Sequence, residues 1–153
     1  KGPQTPVSED MVSIPIGCAE IRRTGKRIAI LGFGALVPVC EEVAGILDAT
    51  VVNMRFVKPL DEECVRSVAA AHELLVTVED NAVMGGAGSA VNECLAAWEI
   101  DTAVLNLGIG DRFVEHGTRE EQLAECALDA AGILDSIRTR LRPSVVRKRR
   151  NNR

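Results

Sequence analysis

Leu74-Leu75-Val76-Thr77-Val78-Glu79-Asp80-Asn81-Ala82-Val83-Met84-Gly85-Gly86-Ala87-Gly88-Ser89-Ala90-Val91-Asn92 is the stretch whose reading decides the fold. A short apolar run ends in two acidic residues, three glycines follow, and Val91, Cys94, Leu95 and Trp98 then recur on one helical face. That is a strand, a glycine-rich turn and a helix, the place where α/β proteins gather ligands and contacts. Backbone N–H groups at such a helix start attract anions. No lysine follows the glycines, however, so this is not a P-loop. Glu79 and Asp80 flank the turn and would repel a phosphate. A carboxylate beside a positive helix start is stabilised as the anion, which argues against a general acid there. A turn that lets chain segments approach closely at an interface is the better account; an anion- or nucleotide-sensing module at Gly85 to Gly88 is the alternative.

The pattern repeats on either side without a sequence repeat. Ile14 to Arg22 reads as a strand, with Pro15 tolerated near its start, and Arg23-Thr24-Gly25-Lys26 as a turn. Arg27 to Leu31 follows as a buried strand, and the short connection predicts an antiparallel hairpin with the strand before it. Positions 36, 39, 40, 43, 46 and 47 carry the next helix. Thr50 to Met54 is a strand; Asp61 caps a helix with Glu62 and Glu63 in its first turn and Cys64, Val65, Val68 and Ala71 as its stripe. Thr102 to Leu107 is the last strand. Thr118-Arg119-Glu120-Glu121 is a capping box, and a final helix over about 129–141 turns Ile133, Ile137 and Leu141 inward before Pro143. The alternation predicts a three-layer α/β/α fold: a mostly parallel five-stranded sheet with one antiparallel edge strand.

The 153 residues suffice for one domain, predicted over 14–141. Residues 1–13 read as a linker entered from an upstream domain: Lys1-Gly2-Pro3-Gln4-Thr5-Pro6 has no initiating Met and no targeting pattern. No apolar run reaches the ~20 residues of a membrane span, and a cytoplasmic protein is expected. Six of the 18 basic residues lie from Arg142 onward with no acidic neighbour, so the body before them carries about −10 against −4 for the whole chain. With no aromatic between those charges, 142–153 reads as a solvated, disordered tail rather than a nucleic-acid contact. Cys18, Cys40, Cys64, Cys94 and Cys126 are odd in number and form no Cys-x-x-Cys pair, so reduced core cysteines are expected rather than metal ligands or disulfides.

Two further candidates, a dinucleotide turn and a stand-alone acid–base pair, carry weaker signals. Gly32-Phe33-Gly34-Ala35-Leu36-Val37 begins like a dinucleotide fingerprint, but Val37 stands at its third glycine, and Met54-Arg55 stands where an acidic residue is needed. A tight turn needing small residues explains it. Asp111 and His116 could form an oriented acid–base pair, but no Ser or Cys nucleophile motif accompanies them. His72 reads as a surface residue at a helix end. By residues alone, no catalytic set assembles.

Three longer motifs add to this. Arg55-Phe56-Val57-Lys58-Pro59-Leu60-Asp61, the loop Val78 to Ser89, and Gly108-Ile109-Gly110-Asp111-Arg112-Phe113-Val114-Glu115-His116-Gly117 together resemble the C-terminal, transketolase-like domain of the 1-deoxy-D-xylulose-5-phosphate synthases. Ile30 to Gly34 and Leu128 to Ile133 extend the resemblance, which covers about residues 14–141; Asp80 departs from it, standing where Glu is more usual. The resemblance implies an intact enzyme that uses thiamine diphosphate and Mg²⁺ to decarboxylate pyruvate and join the two-carbon unit to D-glyceraldehyde 3-phosphate. It feeds isoprenoid, thiamine and pyridoxal precursor synthesis; another transketolase-superfamily enzyme is the alternative. The cofactor would lie between upstream domains, and no Gly-Asp-Gly diphosphate or Mg²⁺ motif occurs here. The resemblance therefore implies no catalytic, cofactor or metal residue in this chain, which by itself is expected to be inactive. It implies packing on the upstream cofactor-binding domains of the same chain and support of a homodimer. Two loops would line an inter-domain or subunit contact: Glu79, Asp80, Asn81, Met84, Gly85, Gly86 and Gly88 on the first, and Asp111, Phe113, His116 and Gly117 on the second.

Overall fold

The computed structural model describes residues 12–142; the linker reading over 1–11 and the basic tail beyond Arg142 lie outside the described residues. Five strands form one sheet: β1 Glu20–Arg23, β2 Ile28–Gly32, β3 Thr50–Asn53, β4 Leu74–Ala82 and β5 Ala103–Ile109. Five helices accompany them: α1 Val37–Leu47, α2 Glu62–Ala71, α3 Ala87–Ala97, α4 Arg119–Glu125 and α5 Ala130–Leu141. The sheet order is β1-β3-β2-β4-β5. All neighbours run parallel except β1, which pairs antiparallel with β3.

The alternating faces of the inner strands make two cores. Ile28, Ile30, Val51, Leu74, Val76 and Val78 pack under α1 and α5, with Leu123 and Cys126 at the margin. Ala29, Leu31, Val52 and Leu75 face the other way, against Val65, Val68 and Ala69 of α2 and Ala87, Val91, Cys94 and Leu95 of α3. Every residue of β2 is buried, as a central parallel strand covered on both faces requires. The predicted three-layer fold with one antiparallel edge strand is the observed one.

Its hairpin is not. β1 and β2 are separated by β3, and the strand itself begins at Glu20 rather than Ile14. The connection Thr24–Arg27 steps across the start of β3 instead of closing a hairpin. Gly25 donates its N–H to Thr50 Oγ1 at 2.9 Å and Lys26 to the Asp48 carbonyl at 2.7 Å. A Cβ at Gly25 would overlap the Asp48 and Ala49 backbone, so glycine is what permits the crossing. Four residues easily span two strand spacings of about 4.8 Å each, which is why length alone could not reveal the inserted strand.

His72 is also placed differently. It is half-buried at the end of α2, with Nδ1 2.7 Å from the Val68 carbonyl and Nε2 2.7 Å from Thr50 Oγ1. The carbonyl can only accept, so Nδ1 carries the proton. The histidine ties α2 to the start of β3. Helix periodicity placed Ile46, Ala71, Trp98 and Leu141 inward, but all four are exposed. Trp98 lies past the end of α3, stacked under the Arg66 guanidinium at 3.8 Å and donating to Glu62. Asp61 caps α2 as expected, accepting from Cys64 N–H at 2.9 Å and also from Ala19 N–H at 2.8 Å. All five cysteines are free thiols; burial pushes Cys40 up to about 12 and Cys64 to about 11.

Candidate functional site

β4 runs four residues beyond Val78, so Glu79 to Ala82 belong to the strand's projecting end. Glu79 points inward and is 1% exposed. Its Oε2 accepts the Ala87 N–H at 2.7 Å and its Oε1 the Gly88 N–H at 2.8 Å. The first amides of α3 are therefore satisfied by a carboxylate from the same chain. Two charge-assisted bonds and the positive end of the helix offset the cost of burying the charge.

The glycines are shaped to that arrangement. A Cβ at Gly86 would overlap both Glu79 carboxylate oxygens and the Ala82 carbonyl. At Gly88 it would lie 2.6 Å from Thr77 Oγ1 and 2.9 Å from Asn106 Oδ1, and at Gly108 2.8 Å from the Asn81 carbonyl. Only Gly85 needs a left-handed backbone, φ +74°, and it has open space around it. Thr77, fully buried, donates to Asn106 Oδ1 at 2.9 Å and so links β4 to β5 beneath the turn.

The second loop, 108–117, lies beside this turn. Val83 N–H donates to the Ile109 carbonyl at 2.9 Å, joining the two. Asp80 faces outward and meets Arg119 at 3.5 Å; Arg112 pairs with Glu125, and Gln122 donates to the Glu115 carbonyl at 3.0 Å. These contacts strap the loop to α4, whose start carries the predicted capping box between Thr118 and Glu121. The Thr118 N–H and hydroxyl on its carboxylate hold Glu121 below the usual carboxylate range. An open groove of about 530 Å³ runs between Asp80-Asn81-Ala82 and Ile109 to Val114. A smaller one of about 240 Å³ continues from it over Val114, Leu123, Cys126 and Leu128.

The structure thus brings the two predicted loops together at the carboxyl ends of β4 and β5. Asn81, Met84, Gly85, Asp111, Phe113 and His116 are exposed there, Met84 at 75% and Phe113 entirely. Asp80, Gly86 and Gly117 are half-buried, while Glu79 and Gly88 are buried within the chain and present nothing to a partner. Asp111 and His116 make no hydrogen bond to each other, so the acid–base pair is not assembled here. Among the described residues no group of His, Cys, Asp or Glu could hold a metal ion, and a diphosphate at α3 would meet amides already taken by Glu79. No helix among the described residues is long and apolar enough to cross a membrane. Sequence reasoning set Glu79 beside the turn as a repelling charge and missed it as the cap. Its distance of eight and nine residues from its donors matches no local capping pattern.

Residues 17–133 match the family described as "Transketolase, C-terminal domain". The chain belongs to that family. It is 52% identical over 140 residues to a 1-deoxy-D-xylulose-5-phosphate synthase of Nitrosomonas eutropha, covering 92% of this chain and 23% of the relative. To the protein of the same name in Thioalkalivibrio sulfidiphilus it is 55% identical over 141 residues, 92% of this chain and 22% of the relative. The chain thus spans less than a quarter of the length of these relatives. Among solved structures it resembles a split-gene transketolase, described as an inactive beta4 tetramer. The TM-score is 0.78 at 28% identity, over 84% of this chain and 43% of that one. A Campylobacter jejuni transketolase shares the fold, with a TM-score of 0.57 at 17% identity, over 87% of this chain and 20% of that one.

Proposed function

We propose that this chain is the C-terminal domain, over 14–141, of a thiamine diphosphate- and Mg²⁺-dependent 1-deoxy-D-xylulose-5-phosphate synthase. The reaction would join the two-carbon unit of pyruvate to D-glyceraldehyde 3-phosphate with loss of CO₂. The described residues do not suit the cofactor, so the domain's task is to pack on the domains that hold it and to support a cytoplasmic homodimer. The observation that carries the contact role is the pairing of the two loops at one end of the sheet. There they present exposed Met84 and Phe113 beside a groove, on a base made rigid by the Glu79 cap. A fully exposed aromatic is costly in water and is the kind of side chain that anchors an interface.

The test replaces the matching segment of the Thioalkalivibrio sulfidiphilus relative with this chain and measures 1-deoxy-D-xylulose 5-phosphate formation. The chimera is expected to be active, and Phe113→Asp in it to lower activity about tenfold, the scale of one interface residue worth ~1.4 kcal/mol. A folded but inactive chimera overturns the assignment; full activity of the Phe113→Asp chimera overturns the contact role. Titration of this chain with thiamine diphosphate and Mg²⁺ is expected to show no binding, and micromolar affinity would refute the packing role.

A further inference from the structure

Every arginine from Arg22 to Arg119 is engaged within the chain: six meet a carboxylate, and Arg66 lies over Trp98. Arg138, Arg140 and Arg142 differ. They are exposed at the end of α5 and have no carboxylate partner among the described residues. Among the five helices described, α5 alone carries basic residues in its last turn. The negative end of the helix favours them there, but it amounts to about half a charge, not three. The sequence then continues the strip: Arg138 to Arg153 holds eight basic residues and no acidic one, while the other ten basic residues stand with all 22 acidic ones. We propose that this end of the molecule, from Arg138 through Arg153, is a site for double-stranded nucleic acid, held by its phosphates without regard to sequence. Seven of the eight are arginines, whose planar guanidinium takes two oxygens of one phosphate. Thr139, Ser144, Asn151 and Asn152 add neutral donors of the kind that reach phosphate and sugar. The lack of an aromatic counts against unpaired bases, which stack on such rings, and not against a duplex held by its backbone. With the exposed arginines of α5 added to it, the basic run after Arg142 is more than the solvated tail its sequence alone suggests. A membrane surface is the poorer match: Leu141, Val145 and Val146 are the only apolar side chains in the strip, with no Trp or Phe to enter the interface. The acidic body repels a duplex laid along it, which confines the contact to the α5 end and leaves it open to screening by salt. This proposal stands on the charge distribution and is independent of the proposed enzyme.

Fluorescence anisotropy of labelled duplexes of about 20 base pairs, one DNA and one RNA, titrated with the 153-residue chain, tests it. In about 50 mM salt both are expected to bind with a Kd of about 10 µM or tighter, and the tighter of the two names the source. Binding is expected to weaken about 100-fold by about 200 mM salt, as for roughly four neutralised phosphates. The triple variant Arg138→Gln, Arg140→Gln and Arg142→Gln changes only exposed positions and is expected to melt with the unaltered chain. It is expected to bind at least ~10-fold more weakly and to lose about 2 from the slope of log Kd against log salt. Unchanged binding by that variant overturns the proposal, as does a Kd weaker than about 1 mM for both duplexes in about 50 mM salt. Vesicles with about 30% phosphatidylserine are expected to bind more weakly than the duplexes, and tighter binding to them overturns it in favour of a membrane surface. Should the triple variant melt early, Arg147→Gln with Arg149→Gln and Arg150→Gln decides: the same loss is expected, and unchanged binding overturns the proposal.

Discussion

β2 and β4 are neighbours in the sheet, and each ends in a glycine turn that opens a helix, but the two helix starts are satisfied by opposite means. After β2, no side chain caps α1. A 3₁₀ turn over Gly34–Leu36 takes the Val37 N–H onto the Gly34 carbonyl, and Pro38 in the first turn of α1 has no N–H to satisfy. The backbone of this turn is pinned by its neighbours, Phe33 N–H to the Val78 carbonyl and Met54 N–H to the Gly32 carbonyl. After β4, the corresponding amides are held by a buried charge from eight and nine residues upstream. Similar local signatures therefore conceal a low-cost backbone solution and a high-stakes ionic one. The second leaves a loop that projects from the sheet on a fixed base.

The sharpest way to break this contrast is a pair of alanines. Gly86→Ala drives a Cβ into the Glu79 carboxylate and the Ala82 carbonyl and is expected to cost about 3 kcal/mol or more in urea unfolding. Gly34→Ala meets only Asp80 Oδ1, at an ordinary contact distance of 4.0 Å, and carries the strain of φ +65°, about 1 kcal/mol. Equal costs would show that both turns use glycine for the same reason. Next in size, Thr77→Val removes the hydroxyl beneath the second turn and leaves Asn106 Oδ1 without its donor, costing about 1–2 kcal/mol by the same measurement. Pro38→Ala at the first turn returns an N–H to an exposed position where water can reach it. Its effect is expected to stay within about 0.5–1 kcal/mol, and a larger loss would mean that the proline holds α1 in place.

The smallest effect sharpens the comparison through a third helix start. The exposed capping box of α4 holds Glu121 below its ordinary value through the Thr118 donors. A carboxylate depressed in the folded state stabilises it above the unfolded value, near 4.3, and that contribution is lost as pH falls through the folded value. Amide exchange in the first turn of α4, corrected for intrinsic rates, is expected to lose protection as pH falls below the ordinary carboxylate value of about 4.3. The start of α1, which has no titratable cap, is expected to keep its protection. Parallel loss at both would refute the capping account.

Much of this was legible in the residues. Strand and helix alternate where apolar periodicity places them, Asp61 and Thr118 cap by local rules, and the two loops at the carboxyl ends of β4 and β5 are long motifs in chain order. The misplacements share one cause: each concerns what lies beside an element rather than along it. Whether Thr24–Arg27 closes a hairpin or crosses a strand depends on β3, some twenty residues later. Whether Ile46 or Leu141 is covered depends on which helix lies alongside, and 3.6-residue periodicity cannot supply that. The resemblance sets Phe113 on an irregular loop, and the fold leaves it wholly exposed there.

The sequence by itself determined the layer architecture, the helix starts with local caps and the family, because these rest on interactions spanning three to seven residues or on long ordered motifs. Only the tertiary structure decided that β1 lies beyond β3, that the two loops share one end of the sheet, and that Glu79 turns inward as a ligand rather than outward as a charge. That last choice needed the end of β4, the first turn of α3 and Gly108 of β5 in place at once. A buried carboxylate is tolerated only when all of its partners arrive together.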